Sequence, residues 1–232
     1  MTTIPIKGFL ETSFVDWGDK ITSLIFLPGC NFRCPYCHNP ELVLDPNSLQ
    51  SMELDAILEH LKKYKGWIEG ICITGGEPTI HKALPDMIRY IREKSGLMIK
   101  LDTNGTNPEM LRVLIDEKLI DAVSMDVKAP LDDIRYCRAA GAVVAVGDIK
   151  KSIDILRNSG LVVEFRTTVH PKFFAKKDVS ELAEQLKGVA RFTLQNFNKL
   201  AETVDPALHG TEPFTEGEFE ELQKIADEII RG

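Results

Sequence analysis

"GICITGGEPT", residues 70–79, sets a short apolar run directly against a polar turn of Gly75, Gly76, Glu77 and Pro78. A run of that length bounded by glycine reads as a buried strand. The residues that follow, Leu84, Met87, Ile88 and Ile91, fall at i, i+3, i+4 and i+7, which gives a helix one apolar stripe for packing on a sheet. Working outward, the same unit recurs. Strand-like runs occur at "TSLIFL" (22–27), "LMIKLD" (97–102), "AVSMDV" (122–127), "LVVEFRT" (161–167) and "RFTLQ" (191–195).

Helical patterns lie between them. Leu54, Ile57, Leu58 and Leu61 form one stripe; Asn107 and Pro108 read as an N-cap and first helical residue, with Met110, Leu111, Leu114 and Ile115 on the buried side. Asp148 reads as the cap of a helix that stops near Asn158, Ser159 and Gly160. Val179, Leu182, Ala183 and Leu186 supply another helix, and Phe219, Leu222, Ile225, Ala226 and Ile229 the last. Alternation of this kind predicts an α/β fold with parallel strands and right-handed crossovers. Six units amount to three quarters of an eight-fold barrel, so the expectation is a partial (β/α)6 TIM-like barrel. No linker rich in Gly, Ser or Pro divides the chain, which predicts a single domain over residues 1–232, with its core at about 20–200 and a closing helix at about 215–231.

Every unusual motif follows a strand: the cysteine-rich "GCNFRCPYCHNP" (29–40), then "GGEPT", "DTNG", "DVKAP", "TVHPK" and "NFNK". In parallel α/β folds the carboxyl ends of the strands share one rim, where sites form.

The chain has 232 residues, 44% of them hydrophobic, enough for a sizeable core. A net charge of −7 argues against a nucleic-acid binder, because phosphate contacts need a basic surface. Lys62, Lys63 and Lys65 read as a solvated helix face. The opening "MTTIPIKGFLETSFVDWGDK" lacks the apolar stretch of a signal peptide, and no segment approaches the ~18 apolar residues of a membrane span. The expectation is a soluble cytosolic protein that acts at no membrane. In a reducing compartment, three clustered cysteines out of five point to metal or redox chemistry.

Four chemistries compete for Cys30, Cys34 and Cys37. Cys34-Pro-Tyr-Cys37 is a dithiol pattern, but that leaves Cys30 unexplained and asks for a smaller fold. Cys34 to His38 also satisfies the haem attachment pattern, which requires export. A zinc site needs four ligands, and adjacent Cys37 and His38 are awkward for one ion. A 4Fe-4S cluster on three thiolates leaves one iron open, and a vacant metal position is where catalysis happens. Cys72, in a strand, and Cys137, in a helical stretch, do not look available as a fourth ligand.

C-x3-C-x2-C at Cys30, Cys34 and Cys37, followed by "GGEP" at the end of the next strand, closely resembles the radical S-adenosylmethionine (SAM) enzymes. The resemblance implies that the open iron is chelated by the amino and carboxylate groups of SAM, and that an electron from the reduced cluster breaks the sulfonium carbon–sulfur bond. It implies roles for the strand-end residues too. Gly75 and Gly76 would let the backbone approach the ligand, and Glu77 would accept from its ammonium. Tyr36 and Phe32 would shield the cluster or stack on adenine.

"VDWGDKITSLIFLPGCNFRCPYCHNPEL" is similar to the activating enzymes of glycyl radical proteins, and most like activators of anaerobic ribonucleoside-triphosphate reductase in their longer form. The likeness runs on through Asp102-Thr103-Asn104-Gly105 and Asp126-Val127-Lys128, and loosely through "LQNF". It implies that Asp102, Thr103 and Asp126 surround the SAM carboxylate, with a monovalent cation to offset repulsion, and that Lys128 adds positive charge there. Arg166 and His170 are further candidates for carboxylate and ribose contacts. The implied partners are a glycyl radical enzyme, the anaerobic ribonucleotide reductase by the finer likeness, and a flavodoxin or ferredoxin as electron donor. Some such activators carry a ferredoxin-like insert needing about eight more cysteines. Residues 38–51 are too few for it, so one cluster is expected. SAM chemistry on a small molecule, or a non-catalytic iron-sulfur or zinc protein, are the alternatives.

Overall fold

The computed structural model of the chain describes residues 4–232. Seven strands pair in chain order: β1 (Gly8–Ser13), β2 (Thr22–Leu27), β3 (Gly70–Gly75), β4 (Met98–Thr103), β5 (Ala122–Asp126), β6 (Val162–Val169) and β7 (Phe192–Asn196). The helices are α1 (Pro40–Leu44), α2 (Leu54–Leu61), α3 (Leu84–Ser95), α4 (Pro108–Asp116), α5 (Asp133–Ala140), α6 (Val146–Arg157), α7 (Lys176–Gln185) and α8 (Glu216–Arg231). The α/β class is as expected, and the sheet is open: among the described residues the last strand does not pair with the first. None of these helices is long and apolar enough to cross a membrane.

The residues form two compact units. The first comprises the chain up to Asn31 with Glu41–Thr103 and Glu109–Val123. Here β2, β3 and β4 run parallel, with Ile73 between Ile25 and Leu101, and Ile71 beside Ile99. All five are fully buried, as are Leu84, Ile88 and Ile91 of α3 and Leu111 and Leu114 of α4. Each such side chain contributes roughly 1.5–3 kcal/mol by leaving water. Because strand side chains alternate between faces, Leu24 and Cys72 lie opposite, in a second cluster with Trp17 and Ala122. Burial pushes the Cys72 thiol up to about 11, so it stays protonated.

β1 pairs antiparallel with β2, a strand the sequence reading does not contain. Its residues GFLETS are mostly half-buried, and the register slips between Leu10 and Ser13, so the two-residue alternation that marks a strand is too short to register.

The second unit comprises Phe32–Pro40, Asn104–Pro108 and Ser124–Gly232. β6 and β7 run parallel, Phe165 beside Phe192 and Thr167 beside Leu194. α8 packs on β7 and against α7, and it opens on a capping box in which the Thr215 N–H donates to Glu218 Oε2 at 2.9 Å. The helix expected to take Asp148 as its cap is capped three residues earlier, at Ala145; Asp148 sits in the first turn, where a carboxylate favours the positive helix end. α5 is the short helix that holds Cys137, opened by Asp132, whose Oδ1 accepts from Arg135 N at 3.0 Å.

Candidate active site

The exit from β3 is shaped by two glycines. Gly75 has φ +119°, a conformation L side chains rarely adopt, and a Cβ on Gly76 would lie 1.8 Å from the Gly29 carbonyl oxygen. The contact is tight because the two turns are stitched together: Gly76 N donates to Leu27 O at 2.9 Å and Glu77 N to Gly29 O at 2.8 Å. Glu77 is 1% exposed. Its Oε1 accepts from Thr79 N at 3.0 Å, from the Thr79 hydroxyl at 2.5 Å and from the Thr103 hydroxyl at 2.8 Å, all within the first unit. Glu77 and Thr103, expected near the ligand from different strand ends, are thus neighbours at the carboxyl edge of β3 and β4.

The cysteine loop leaves β2 under similar restraint. His81 Nε2 lies 2.8 Å from Pro28 O, and Gly29 N donates to Leu42 O of α1 at 2.8 Å, which fixes the backbone ahead of Cys30. In the second unit the later part of the loop is held by Arg33 N donating to Ala140 O at 2.8 Å, Asp205 N to Pro35 O at 3.0 Å and Val204 N to Cys37 O at 3.3 Å. All five cysteines are thiols, Cys34 buried, Cys30 and Cys37 partly exposed. Among the described residues no three His, Cys, Asp or Glu side chains close around one metal ion, as a structural zinc centre requires.

Asp126, at the end of β5, is gripped from both sides. Arg166 Nε donates to its Oδ1 at 3.0 Å and Lys128 Nζ to its Oδ2 at 3.1 Å. Burial works to raise the Asp126 carboxyl, but the Arg166 guanidinium and the Lys128 ammonium overcome it and hold the group down at about 2. Burial would lower the Lys128 ammonium, and Asp126 outweighs it, so the lysine stays charged. Asp126, Lys128 and Arg166 thus form one charged cluster at the strand ends.

The sign of the Asp126 shift carries a prediction. A carboxyl depressed on folding contributes stability above its unfolded pKa of about 4, and that contribution fades as pH falls toward about 2. Urea unfolding of the wild type should therefore lose more stability between pH 5 and pH 3 than Asp126→Asn does; equal losses would refute the coupling.

Tyr36 is 3% exposed, its hydroxyl 3.4 Å from Lys128 O and its ring 5.6 Å from that of Phe173. Phe32 is buried to the same degree. Both rings pack inward. His170, directly after β6, is 1% exposed with both nitrogens engaged: Nδ1 accepts from Lys172 N at 3.0 Å and Nε2 lies 2.8 Å from the Thr211 hydroxyl. Asp102 meets a partner the sequence reading omits, Lys100, two residues earlier on the same strand. Thr79, His81 and Tyr136, whose hydroxyl accepts from Lys128 N at 3.4 Å, were also missed. A charged residue inside the apolar run "LMIKLD" was the one available signal; threonine and histidine in turns give none.

Residues 24–186 match the family model of the radical SAM superfamily. The chain belongs to that superfamily. Radical SAM proteins carry a 4Fe-4S cluster on three cysteines and use S-adenosylmethionine, so this chain is an enzyme of that type. A Methanocaldococcus jannaschii protein provisionally named as a glycyl-radical enzyme activating enzyme is 35% identical over 229 residues, covering 97% of this chain and 92% of the relative. The pyruvate formate-lyase-activating enzyme of Clostridium pasteurianum is 27% identical over 180 residues, 74% of this chain and 72% of that one. Among solved structures the Streptococcus suis protein SuiB superposes with a TM-score of 0.65 at 15% identity, over 90% of this chain and 46% of its own, which speaks to the fold.

The radical SAM cofactors fit what the residues offer. Three thiols on one loop are the soft donors that an iron-sulfur cluster takes. The Cβ position of Gly76 is filled by the Gly29 carbonyl, so only glycine lets the exits of β2 and β3 lie this close behind the cysteine loop.

Proposed function

We propose that this radical SAM enzyme activates a glycyl radical protein, taking a hydrogen atom from a glycine of the partner, and that the partner is an anaerobic ribonucleoside-triphosphate reductase. The observation that carries the reading is the likeness to a relative of that provisional name, which covers 97% of this chain and 92% of the relative. The stretch from His38 to Ser51 supports a single cluster, since it holds α1 and no cysteine. Cys137 is bound up with backbone, its Sγ 3.3 Å from Val144 N, and Cys72 is sealed in β3.

Cys30, Cys34 and Cys37 would hold the cluster. When bound, it supplies the electron that breaks the carbon–sulfur bond of SAM, giving methionine and a carbon radical able to remove a hydrogen atom. The chain's own residues do the positioning. Gly75 and Gly76 admit the ligand's backbone-like amino-acid end, and Glu77, prealigned by Thr79 and Thr103, faces its ammonium. Lys128 and Arg166, with Asp126 between them, take its carboxylate. Tyr36 braces the loop from within, and His170 holds the segment after β6 against Thr211. A flavodoxin or ferredoxin delivers the electron.

The test is anaerobic reconstitution with iron and sulfide, followed by reductant, SAM and the candidate reductase. A doublet radical signal on the reductase, formed at the expense of SAM, is the expected result. Free 5'-deoxyadenosine with no radical on any glycyl radical partner would point instead to a small-molecule substrate.

A further inference from the structure

Lys100 lies in the middle of β4 with its side chain 4% exposed, and its ammonium rests on Asp102 Oδ1. The two side chains share a face because they are two apart on a strand. The lysine pairs in register with Cys72, whose thiol meets the Thr22 hydroxyl at 3.7 Å and which also belongs to the cluster of Trp17, Leu24 and Ala122, so few groups on that face can take a charge. Apolar residues of like volume would suit such a place at no cost in stability, so a buried ammonium here serves the carboxylate that it meets rather than the core. Asp102 in turn adjoins Thr103, whose hydroxyl is on Glu77, so this strand edge gathers two carboxylates, 1% exposed at Glu77 and 12% at the Asp102 side chain. A third carboxylate, brought by SAM, would be repelled unless one of these were neutralised.

We propose that Lys100 is a positioning residue that acts as a tethered cation. Its ammonium neutralises and orients Asp102, and thereby supplies the charge that a diffusible monovalent cation would bring to the same carboxylate. The chain therefore binds SAM without potassium or sodium. The proposal rests on the reading of Asp102 as a residue at the SAM carboxylate, and it replaces the loosely held cation of the sequence reading with a side chain.

The experiment is calorimetric titration of SAM into the cluster-loaded enzyme under anaerobic conditions, in potassium chloride or in tetramethylammonium chloride at equal ionic strength. The wild type is expected to give Kd values within about two-fold of each other in the two salts. Lys100→Met is expected to bind at least about ten-fold more weakly in tetramethylammonium and to regain most of that loss in potassium, a rescue that a merely structural role would not produce. A wild type that needs potassium for tight binding overturns the proposal, and this arm stands whether or not the variant folds. So does a Lys100→Met enzyme indifferent to its loss of charge, or one weakened equally in both salts. A loaded wild type that binds no SAM in either salt overturns the underlying reading of the site, and is told apart by that fact.

Discussion

Alanine at Cys30, Cys34 or Cys37 is expected to abolish SAM cleavage, a loss of roughly three orders of magnitude or more, whereas alanine at Cys72 or Cys137 leaves the cleavage rate within about three-fold of wild type. The contrast follows from where the sulfurs sit. Cys30, Cys34 and Cys37 share an eight-residue stretch whose backbone is fastened by the Gly29–Leu42, Arg33–Ala140 and Val204–Cys37 hydrogen bonds, so none can be replaced by a shift of its neighbour. Cys72 is fully buried between strands, its thiol held protonated by burial, and a protonated thiol is not a ligand. Cys137 packs on the turn at Val144. Iron content separates the mechanisms: the three loop variants should lose bound iron, while the other two keep it, after some loss of stability for Cys72→Ala from the cavity it leaves. Full iron loading together with normal cleavage in any loop variant would contradict the assignment.

Gly76→Ala should be nearly as damaging although it adds one methyl group. The new Cβ would meet the Gly29 carbonyl oxygen at 1.8 Å, and the obstruction is backbone on both sides, which cannot swing away as a side chain can. Relief requires parting the β3 exit from the β2 exit, breaking the Glu77 N to Gly29 O bond and moving Glu77 away from Thr103. The overpacking cost is about 3 kcal/mol or more, and SAM affinity should fall at least about ten-fold even in protein that remains folded. Equilibrium binding and a thermal melt together check this. Unchanged affinity in a folded Gly76→Ala protein would show that the turn does not present its backbone to the ligand. Gly188→Ala is a useful contrast, since a Cβ there meets no atom within 4 Å, although its positive φ adds local strain.

The parallel strands and their helices were legible because their apolar spacing is strong: "TSLIFL" is β2 to the residue, and Leu84, Met87, Ile88 and Ile91 are the buried stripe of α3. What failed was weaker in pattern. β1 is half-exposed and bulged, so its side chains do not alternate long enough to be read. Asp148 resembles a cap because aspartate suits both the cap and the first turn, and the chain uses it in the turn after an Ala145 that carries no capping hydroxyl or carboxylate.

The site was legible in its types more than in its pairings. The family resemblance points to Glu77, Thr103, Asp126 and Lys128, but it does not say that Thr103 donates to Glu77 while Asp126 is divided between Lys128 and Arg166. Those pairings join strands distant in sequence, and register decides them. An aromatic such as Tyr36 likewise reads the same whatever it packs on; its contact with Phe173 lies far along the chain. Lys100 was the one loud local signal that went unread, since a charge within an apolar strand needs a partner on its own face, and Asp102 stands two residues away.

The measurement closest to the central claim is electron-nuclear double resonance on the reduced, anaerobically reconstituted protein with SAM carrying a labelled amino nitrogen. Three thiolates holding a 4Fe-4S cluster with one iron left for the ligand predict about four irons per chain and a hyperfine coupling between that nitrogen and the cluster. A reduced cluster whose spectrum is unaltered by bound SAM, or a protein that holds a single zinc ion instead, would contradict it.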